Sequence, residues 1–140
     1  MKNILVVDAQ GGGLGRQIIN LIKNENYDVK ITAVGTNSVA TTAMLKAGAN
    51  EAGTGENSVV VAAGKADIII GPIGIVIVDS MIGEITEKMA CAVARSSAKR
   101  ILIPFSNCDN YIAGLSELGT GKLIEDAMSQ LRKYLVGEAC

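Results

Sequence analysis

The stretch that decides the fold is residues 2–15, which read KNILVVDAQGGGLG. The run from Lys2 to Val7 ends at Asp8 and has the length of one short buried strand. Four of the five positions from 11 to 15 are glycine. Apolar residues then recur at helical spacing, at Leu14, Ile18, Leu21 and Ile22. The order of strand, glycine turn and helix predicts the first unit of an α/β fold.

Similar strand and helix patterns alternate through the rest of the chain. Further strands are predicted at Asp28–Val34, Ala49–Ala52, Ile68–Ile70 and Arg100–Pro104. Helices are predicted at Val39–Ala47, at Ile73–Met81, from Thr86 onward and at about Lys122–Leu135. The run Val59 to Ala63 has the β-branched residues of a strand, but its place between two strands also suits a crossover helix.

This alternation predicts a parallel sheet with right-handed crossovers. The fold class that we expect is α/β: a single doubly wound Rossmann-like domain over residues 1–140, with about five mostly parallel strands and helices on both faces. The expected strand order is 3-2-1-4-5 or its close relative. Ligands of such sheets bind beyond the carboxyl ends of the strands where the order reverses, here after the first and fourth strands.

Composition excludes several classes of function. The chain is 49% hydrophobic and 19% charged, with a formal net charge of −1, so it offers no basic surface for nucleic acid or an anionic membrane. It has no histidine, which removes every catalytic triad or metal site that needs an imidazole. Its three cysteines are widely spaced and form no metal motif. The apolar run at the N-terminus is too short for a signal peptide, so we expect a cytoplasmic protein.

The glycine-rich loop is the strongest functional signal. Glycines without a Cβ let backbone amides approach a phosphate, and the helix that follows presents its positive end. We therefore predict that a nucleotide, a dinucleotide such as NAD(P) or another phosphorylated small molecule binds there. The predicted binding residues of this loop are Gln10, Gly11, Gly12, Gly13 and Gly15. The competing interpretation is that these glycines only permit a tight turn and close helix packing.

Recognition of NAD in the ordinary way is doubtful. The dinucleotide fingerprint G-x-G-x-x-G would need glycine at position 10, where the chain has Gln10. The acidic residue expected about 20 positions later, which binds the ribose, is also missing, because the second strand ends in Gly35-Thr36-Asn37. A second glycine string, Gly119 to Lys122, resembles the end of a phosphate-binding P-loop but lacks its spacing and its Ser or Thr. It is interpreted as a helix start.

Other loops at strand ends complete the predicted crevice. Their site residues are Thr36, Asn37, Gly71 and Pro72. Side chains of this kind recognise polar ligands, but each is also a common helix cap or turn former. The two interpretations stay open for each residue.

Catalysis is left open by the sequence. Asp79 and Glu84 form either an acid/base pair or the solvated face of a helix, and the second is favoured. The nucleophile candidates Ser80, Ser106 and Cys108 have no base beside them in sequence. The alternatives to a binding protein are a small enzyme that uses Glu56, Glu84 or Cys108, and an interaction protein without a ligand.

The segment Ile73 to Met81 is apolar on nearly all sides. A helix of this kind is buried in a core or in an interface, and a chain of 140 residues has a limited interior. We therefore predict a homodimer that forms through this segment.

The whole chain resembles a family of short bacterial proteins classed only as a domain of unknown function. The resemblance is carried by several short motifs: Asp8 with Gln10-Gly11-Gly12-Gly13 and Gly15, Gly35-Thr36-Asn37, Met44 to Glu51, Gly55-Glu56-Asn57, Gly71-Pro72-Ile73-Gly74, Gly83-Glu84-Ile85-Thr86 and Ile103-Pro104. Ala9 stands where the family usually has glycine. The resemblance implies a Rossmann-like fold and no established activity.

Overall fold

One five-stranded sheet forms the centre of the protein, and all its strands are parallel. The computed structural model describes residues 1–104, 110–115 and 118–137. The strands are β1 (Lys2–Asp8), β2 (Val29–Gly35), β3 (Glu51–Thr54), β4 (Ile68–Pro72) and β5 (Lys99–Ile103). Their order is β3-β2-β1-β4-β5, as the sequence predicts. The order reverses between β1 and β4, and the crevice of a doubly wound fold lies beyond the carboxyl ends of these two strands.

Helices cover both faces of the sheet. They are α1 (Gly13–Asn24), α2 (Ser38–Lys46), α3 (Glu56–Lys65), α4 (Glu87–Arg95) and α5 (Thr120–Leu135). Two of them begin at a side-chain cap: Asn37 accepts from the Ala40 N–H at 3.0 Å, and Thr86 accepts from the Met89 N–H at 3.3 Å. Across the described ranges, no helix has both the length and the apolar character that a membrane span requires.

Alternating residues of β1 divide the core into two layers. Ile4 and Val6 pack with α1, α2 and α5 on one face, whereas Leu5 and Val7 pack with α3 and α4 on the other. All four side chains are buried, as expected for a central strand covered on both faces. Burial on both sides fixes the register of β1 and so fixes the position of the loop that follows it.

Two expectations about local structure are resolved. The run Val59 to Ala63 lies within α3, so its position between two strands outweighs its β-branched composition. The predicted helix Ile73–Met81 is wrong: a short 3-10 helix, Ile73–Val76, is followed by turns up to Glu84. The loop residues 105–109, which include Ser106 and Cys108, lie outside the described residues.

The chain leaves the helical path after residue 76 for a physical reason. Ile75 to Val78 are β-branched and favour extended backbone over helix. The buried Ser80 hydroxyl then donates to the Gly74 carbonyl at 2.6 Å, which closes the segment back on itself. A Cβ on Gly74 would lie 2.9 Å from the Ser80 Oγ, so this close return requires glycine. Ser80 therefore has a structural partner.

Candidate functional site

The loop between β1 and α1 lies at the edge where the strand order reverses. Residues 9–12 form a tight turn in which the Gly12 N–H donates to the Ala9 carbonyl at 3.0 Å. Gln10 and Gly12 have left-handed backbone, with φ of 51° and 73°. We call residues 10–15 the glycine loop. Its turn ends directly at the first residue of α1, so its amides lie at the positive end of that helix.

Asp8, the last residue of β1, holds the glycine loop through hydrogen bonds to its backbone. One carboxylate oxygen accepts from the Gly15 N–H at 2.7 Å and the other accepts from the Ala9 N–H at 2.8 Å. Burial raises the pKa of Asp8, and the negative charge of Glu84 adds to this rise, while the two backbone N–H donors oppose it. Asp8 thus satisfies one of the unpaired amides at the start of α1 with a charge from the protein itself.

Glu84 reaches the same loop from the segment that follows β4. Its Oε1 accepts from the Thr36 hydroxyl and from the Asn37 side-chain amide, each at 2.7 Å. The Gln10 N–H lies 3.2 Å from Oε1 and 3.1 Å from Oε2. Partial desolvation opposes ionisation, but these hydrogen bonds together lower the pKa of Glu84. A carboxylate from a third segment is therefore held across the ends of β1 and β2.

Asn37 joins the parts of this site. Its Oδ1 caps α2 through the Ala40 N–H, and its Nδ2 donates to Glu84 and, at 3.0 Å, to the Gln10 carbonyl. The helix-cap interpretation of Asn37 is therefore confirmed, and its Nδ2 additionally links Glu84 to the glycine loop, while ligand binding by this residue stays a prediction. Thr36 also takes part, since its hydroxyl donates to Glu84.

The glycines of the loop fall into two groups. A Cβ on Gly12 would lie 2.8 Å from the Ala40 Cα, and one on Gly15 would lie 2.5 Å from the Met44 sulfur, so both positions are required for contact with α2. A Cβ on Gly11 or Gly13 would meet no atom within 4 Å. Packing thus explains Gly12 and Gly15, whereas the described structure places nothing beside Gly11 and Gly13.

A short segment before Glu84, which we call the strap (residues 79–83), has unusual backbone. Asp79, Met81 and Ile82 have φ of 63°, 56° and 58°, and Gly83 has 79°. Ile82 is 97% exposed, and left-handed backbone is rare for a β-branched residue. The Asp79 N–H donates to the Ile85 carbonyl at 2.8 Å, which closes the strap at its base. The strap therefore positions Glu84 at a cost in backbone strain.

The structure brings only some of the predicted residues together. The glycine loop, Thr36 and Asn37 form one site, whereas Gly71 and Pro72 are buried at the end of β4. A Cβ on Gly71 would collide with the Val7 carbonyl oxygen, so this glycine serves the packing of the sheet.

The interpretation of Asp79 and Glu84 as the solvated face of a helix is wrong, whereas a role as an acid/base pair stays a prediction. Neither residue lies on a helix, because this segment forms turns. Asp79 is exposed, and the hydrogen bonds among described residues do not join its carboxylate to Glu84. Glu84 instead binds Thr36 and Asn37, a pairing that the sequence did not predict. A single acid directly after a glycine, at the end of an apolar segment, distinguishes Glu84 in the sequence but does not identify its partners.

A separate cavity of about 420 Å³ lies between β2, β3 and α3, away from the glycine loop. Lys30, Thr32 and Glu51 line it, with Ser58 and Lys65 from α3. Glu51 already pairs there with Lys30 at 3.0 Å and accepts from the Thr32 hydroxyl at 2.9 Å. Three polar side chains of this cavity, those of Lys30, Thr32 and Glu51, are therefore matched to one another.

With this geometry in place, comparison with known families decides the membership of the chain. The family model described as "Domain of unknown function (DUF3842)" matches residues 3–136. The chain belongs to the DUF3842 family. The predicted membership in a family of unknown function is thereby confirmed. No curated protein sequence matches this DUF3842 chain.

One of the solved structures that resemble this chain supports the Rossmann-like fold. The FMN-dependent cysteine decarboxylase TvaF from thioviridamide biosynthesis superposes with a TM-score of 0.53 at 13% identity, over 96% of the DUF3842 chain and 86% of TvaF. A dodecameric FMN-dependent UbiX-like decarboxylase from Escherichia coli O157:H7 gives a TM-score of 0.49 at 17% identity, over 94% and 76% of the two chains. At such identities, the TvaF match establishes the fold alone.

Proposed function

We propose that this protein binds a phosphorylated small molecule of the nucleotide class at the glycine loop, with the phosphate on the backbone amides of Gly11 and Gly13. The observation that carries the proposal is the pair of backbone amides at Gly11 and Gly13, which the hydrogen bonds of the described residues leave without an acceptor and beside which an added Cβ would meet no atom within 4 Å. Glycine leaves a backbone amide open to close approach by a ligand. The positive end of α1 favours an anion at the same place.

Three of the other four amides of the loop already have acceptors, and the Leu14 N–H has none among the hydrogen bonds of the described residues. Asp8 accepts from Gly15, Glu84 accepts from Gln10, and the Ala9 carbonyl accepts from Gly12. Hydrogen bonds among the described residues give the amides of Gly11 and Gly13 no acceptor. A phosphate at these two amides therefore satisfies donors that the folded chain does not, without displacing Asp8.

Two kinds of nucleotide deserve first trial as ligands. The name of TvaF states that it depends on FMN, and a flavin nucleotide carries a single terminal phosphate of the kind proposed here. NAD(P) is one of the ligands that the sequence leaves open, although the fingerprint lacks glycine at position 10. FMN is therefore the first probe and NAD and NADP are the second.

Thermal unfolding with FMN, NAD, NADP, AMP and inorganic phosphate tests the proposal. A ligand at 100 times its dissociation constant stabilises the native state by about 2.7 kcal/mol, which is visible as a rise in Tm. We expect at least one of the five compounds to raise the Tm. The proposal fails if none does so at millimolar concentration.

A matched pair of variants locates the site. Gly13→Val fills the open space beside the loop, and Gly121→Val makes the same change near the start of α5, where a Cβ also meets nothing within 4 Å. We expect Gly13→Val to abolish the ligand-induced rise in Tm and Gly121→Val to retain it. An unaltered response of Gly13→Val would place the ligand elsewhere.

We also propose that the homodimer predicted through Ile73–Met81 forms at the end of that segment and at the strap, which overlaps it. Ile82 is 97% exposed and Val78 is 47% exposed, so the segment presents apolar surface to solvent. Burial of such side chains favours association. Sedimentation equilibrium should give the mass of a dimer for the wild type and of a monomer for Ile82→Lys. A wild-type mass of one chain at every concentration would contradict this.

A further inference from the structure

Glu84 uses its two oxygens unequally. Oε1 accepts from Thr36, from Asn37 and, at 3.2 Å, from the Gln10 N–H. Oε2 accepts only from the Gln10 N–H, at 3.1 Å, among the hydrogen bonds of the described residues. A carboxylate oxygen has two lone pairs, so Oε2 can accept at least one more donor. An ionised acid with an unused acceptor is suited to bind a hydroxyl group.

The position of this carboxylate adds a second argument. Thr36 and Asn37 directly follow β2, which is the neighbour of β1. In dinucleotide-binding folds, an acid near the end of the second strand binds ribose hydroxyls. The second strand of this chain ends in Gly35-Thr36-Asn37 and supplies no acid. Glu84, 48 residues after Thr36, brings a carboxylate to that place through space.

The backbone of the strap is the third observation. Non-glycine residues at positive φ each cost free energy, and such strain persists where surrounding contacts over-determine it, often at ligand sites. Three non-glycine residues of the strap are left-handed, and Glu84 follows the strap directly. The hydrogen bond from the Asp79 N–H to the Ile85 carbonyl closes the strap. Thr36 and Asn37 donate to Glu84 and so hold the residue that follows the strap.

We infer that Glu84 selects the ligand by its hydroxyl groups: the site takes a phosphorylated sugar with free vicinal hydroxyls, as in ribosyl and ribityl compounds. This inference rests on the proposed function, because the phosphate on Gly11 and Gly13 brings the sugar beside Glu84. The Gln10 N–H, which is bound to Glu84, directly precedes the Gly11 amide along the loop, so the carboxylate lies next to the proposed phosphate amides. A second phosphate in place of a hydroxyl would be repelled by the carboxylate.

Amide NMR spectra titrated with three probes test the inference. The probes are ribose 5-phosphate, 2-deoxyribose 5-phosphate and inorganic phosphate, which share the phosphate and differ in hydroxyl groups. We expect all three to shift the amide signals of Gly11 and Gly13. Only the sugar phosphates should shift the side-chain amide of Asn37, and ribose 5-phosphate should bind about tenfold more tightly than its 2-deoxy form, which corresponds to about 1.4 kcal/mol.

Two charge-removing variants separate recognition from architecture. Glu84→Gln should abolish the preference for ribose 5-phosphate over its 2-deoxy form. Inorganic phosphate should bind to this variant as tightly as to the wild type, or more tightly. Glu87→Gln removes an exposed acid three residues later, in the first turn of α4, and should keep the preference. If Glu84 had only a structural role, Glu84→Gln would weaken the binding of all three probes alike and leave the ratio of the two sugar-phosphate affinities unchanged.

The outcomes distinguish failure of this inference from failure of the proposed function on which it rests. If no probe shifts Gly11 or Gly13, phosphate binding at the loop fails and the inference fails with it. If all probes shift them but the wild type binds both sugars equally, phosphate binding stands and the role of Glu84 is refuted. This wild-type comparison needs no variant, so it holds even if Glu84→Gln does not fold.

Discussion

The glycine loop before α1 and the glycine-rich start of α5 look alike in sequence but differ in surroundings. At α1, the acid Asp8 accepts from the first turn, Gly12 touches α2, and Glu84 crosses the loop. At α5, a Cβ on Gly119 or Gly121 would meet nothing, and the first turn carries no acid. Glycine content alone therefore does not mark a site, because the contacts around the glycines decide what they do.

The largest effect that this comparison predicts is for Gly12→Ala. The added Cβ would lie 2.8 Å from the Ala40 Cα, and the φ of 73° is unfavourable for alanine. Overpacking and left-handed strain together should lower the free energy of unfolding by about 2–4 kcal/mol. Urea denaturation measures this loss.

Gly121→Ala is the matched control. Its Cβ meets no atom, and alanine is the better helix former, so the variant should be stabilised by at most about 1 kcal/mol. Equal changes in the free energy of unfolding for the two variants would show that the glycine loop and α2 can move apart at little cost. The contrast between the starts of α1 and α5 would then be refuted.

A smaller effect is expected for Asn37→Ala. The substitution removes the cap of α2 and also two donors, one to Glu84 and one to the Gln10 carbonyl. It should lower the free energy of unfolding by about 2–3 kcal/mol, since a cap and a charged hydrogen bond are both lost. Thr86→Ala removes only a cap, from α4, and should cost about 1 kcal/mol. Equal losses would mean that the contacts of Asn37 across the site add no stability.

The smallest effect concerns pH and Glu84. Its donors lower its pKa below the ordinary value of 4.5, in spite of partial desolvation. The stability that its ionised form contributes is thus full above pH 4.5 and is lost as the pH falls through the lowered pKa. The part of the difference in unfolding free energy between wild type and Glu84→Gln that comes from titration of Glu84 should therefore be constant above pH 4.5 and narrow below it.

The titration of Asp8 gives a second pH prediction, in which stability changes with pH in the opposite direction. Its pKa is raised by burial and by the Glu84 charge, so its contribution to stability is full below 3.8 and is lost as the pH rises through the raised pKa. In Glu84→Gln, the pKa of Asp8 should fall, which NMR titration of its carboxyl carbon measures. An unchanged Asp8 titration would show that the two carboxylates do not interact across the loop.

The sequence supports much of the fold because local patterns determine it. The alternation of strands and helices gives the parallel order, and the four buried apolar residues of β1 require cover on both faces. Asn37 is predicted as a polar residue at a strand end because it lies just after the second strand in the sequence. These features depend on neighbours along the chain, which a sequence displays.

The rest of the site depends on contacts between distant segments. Gly12 meets Ala40, and Gln10 meets Glu84, which lies 74 residues later. Apolar residues before the strap suggested a helix, whereas the left-handed backbone at Met81 and Ile82 turns the chain toward β2. Nothing in the local sequence pattern specifies that turn, so the partner of Glu84 could not be predicted.

The two donors of the Asn37 amide group have a consequence for local opening. This one side chain contacts the glycine loop, the start of α2 and the residue after the strap. Segments that share hydrogen bonds tend to open as one cooperative unit in hydrogen exchange. The backbone amides of Gln10 and Ala40 should therefore exchange with a common opening free energy, so that release of the strap also frees the first turn of α2.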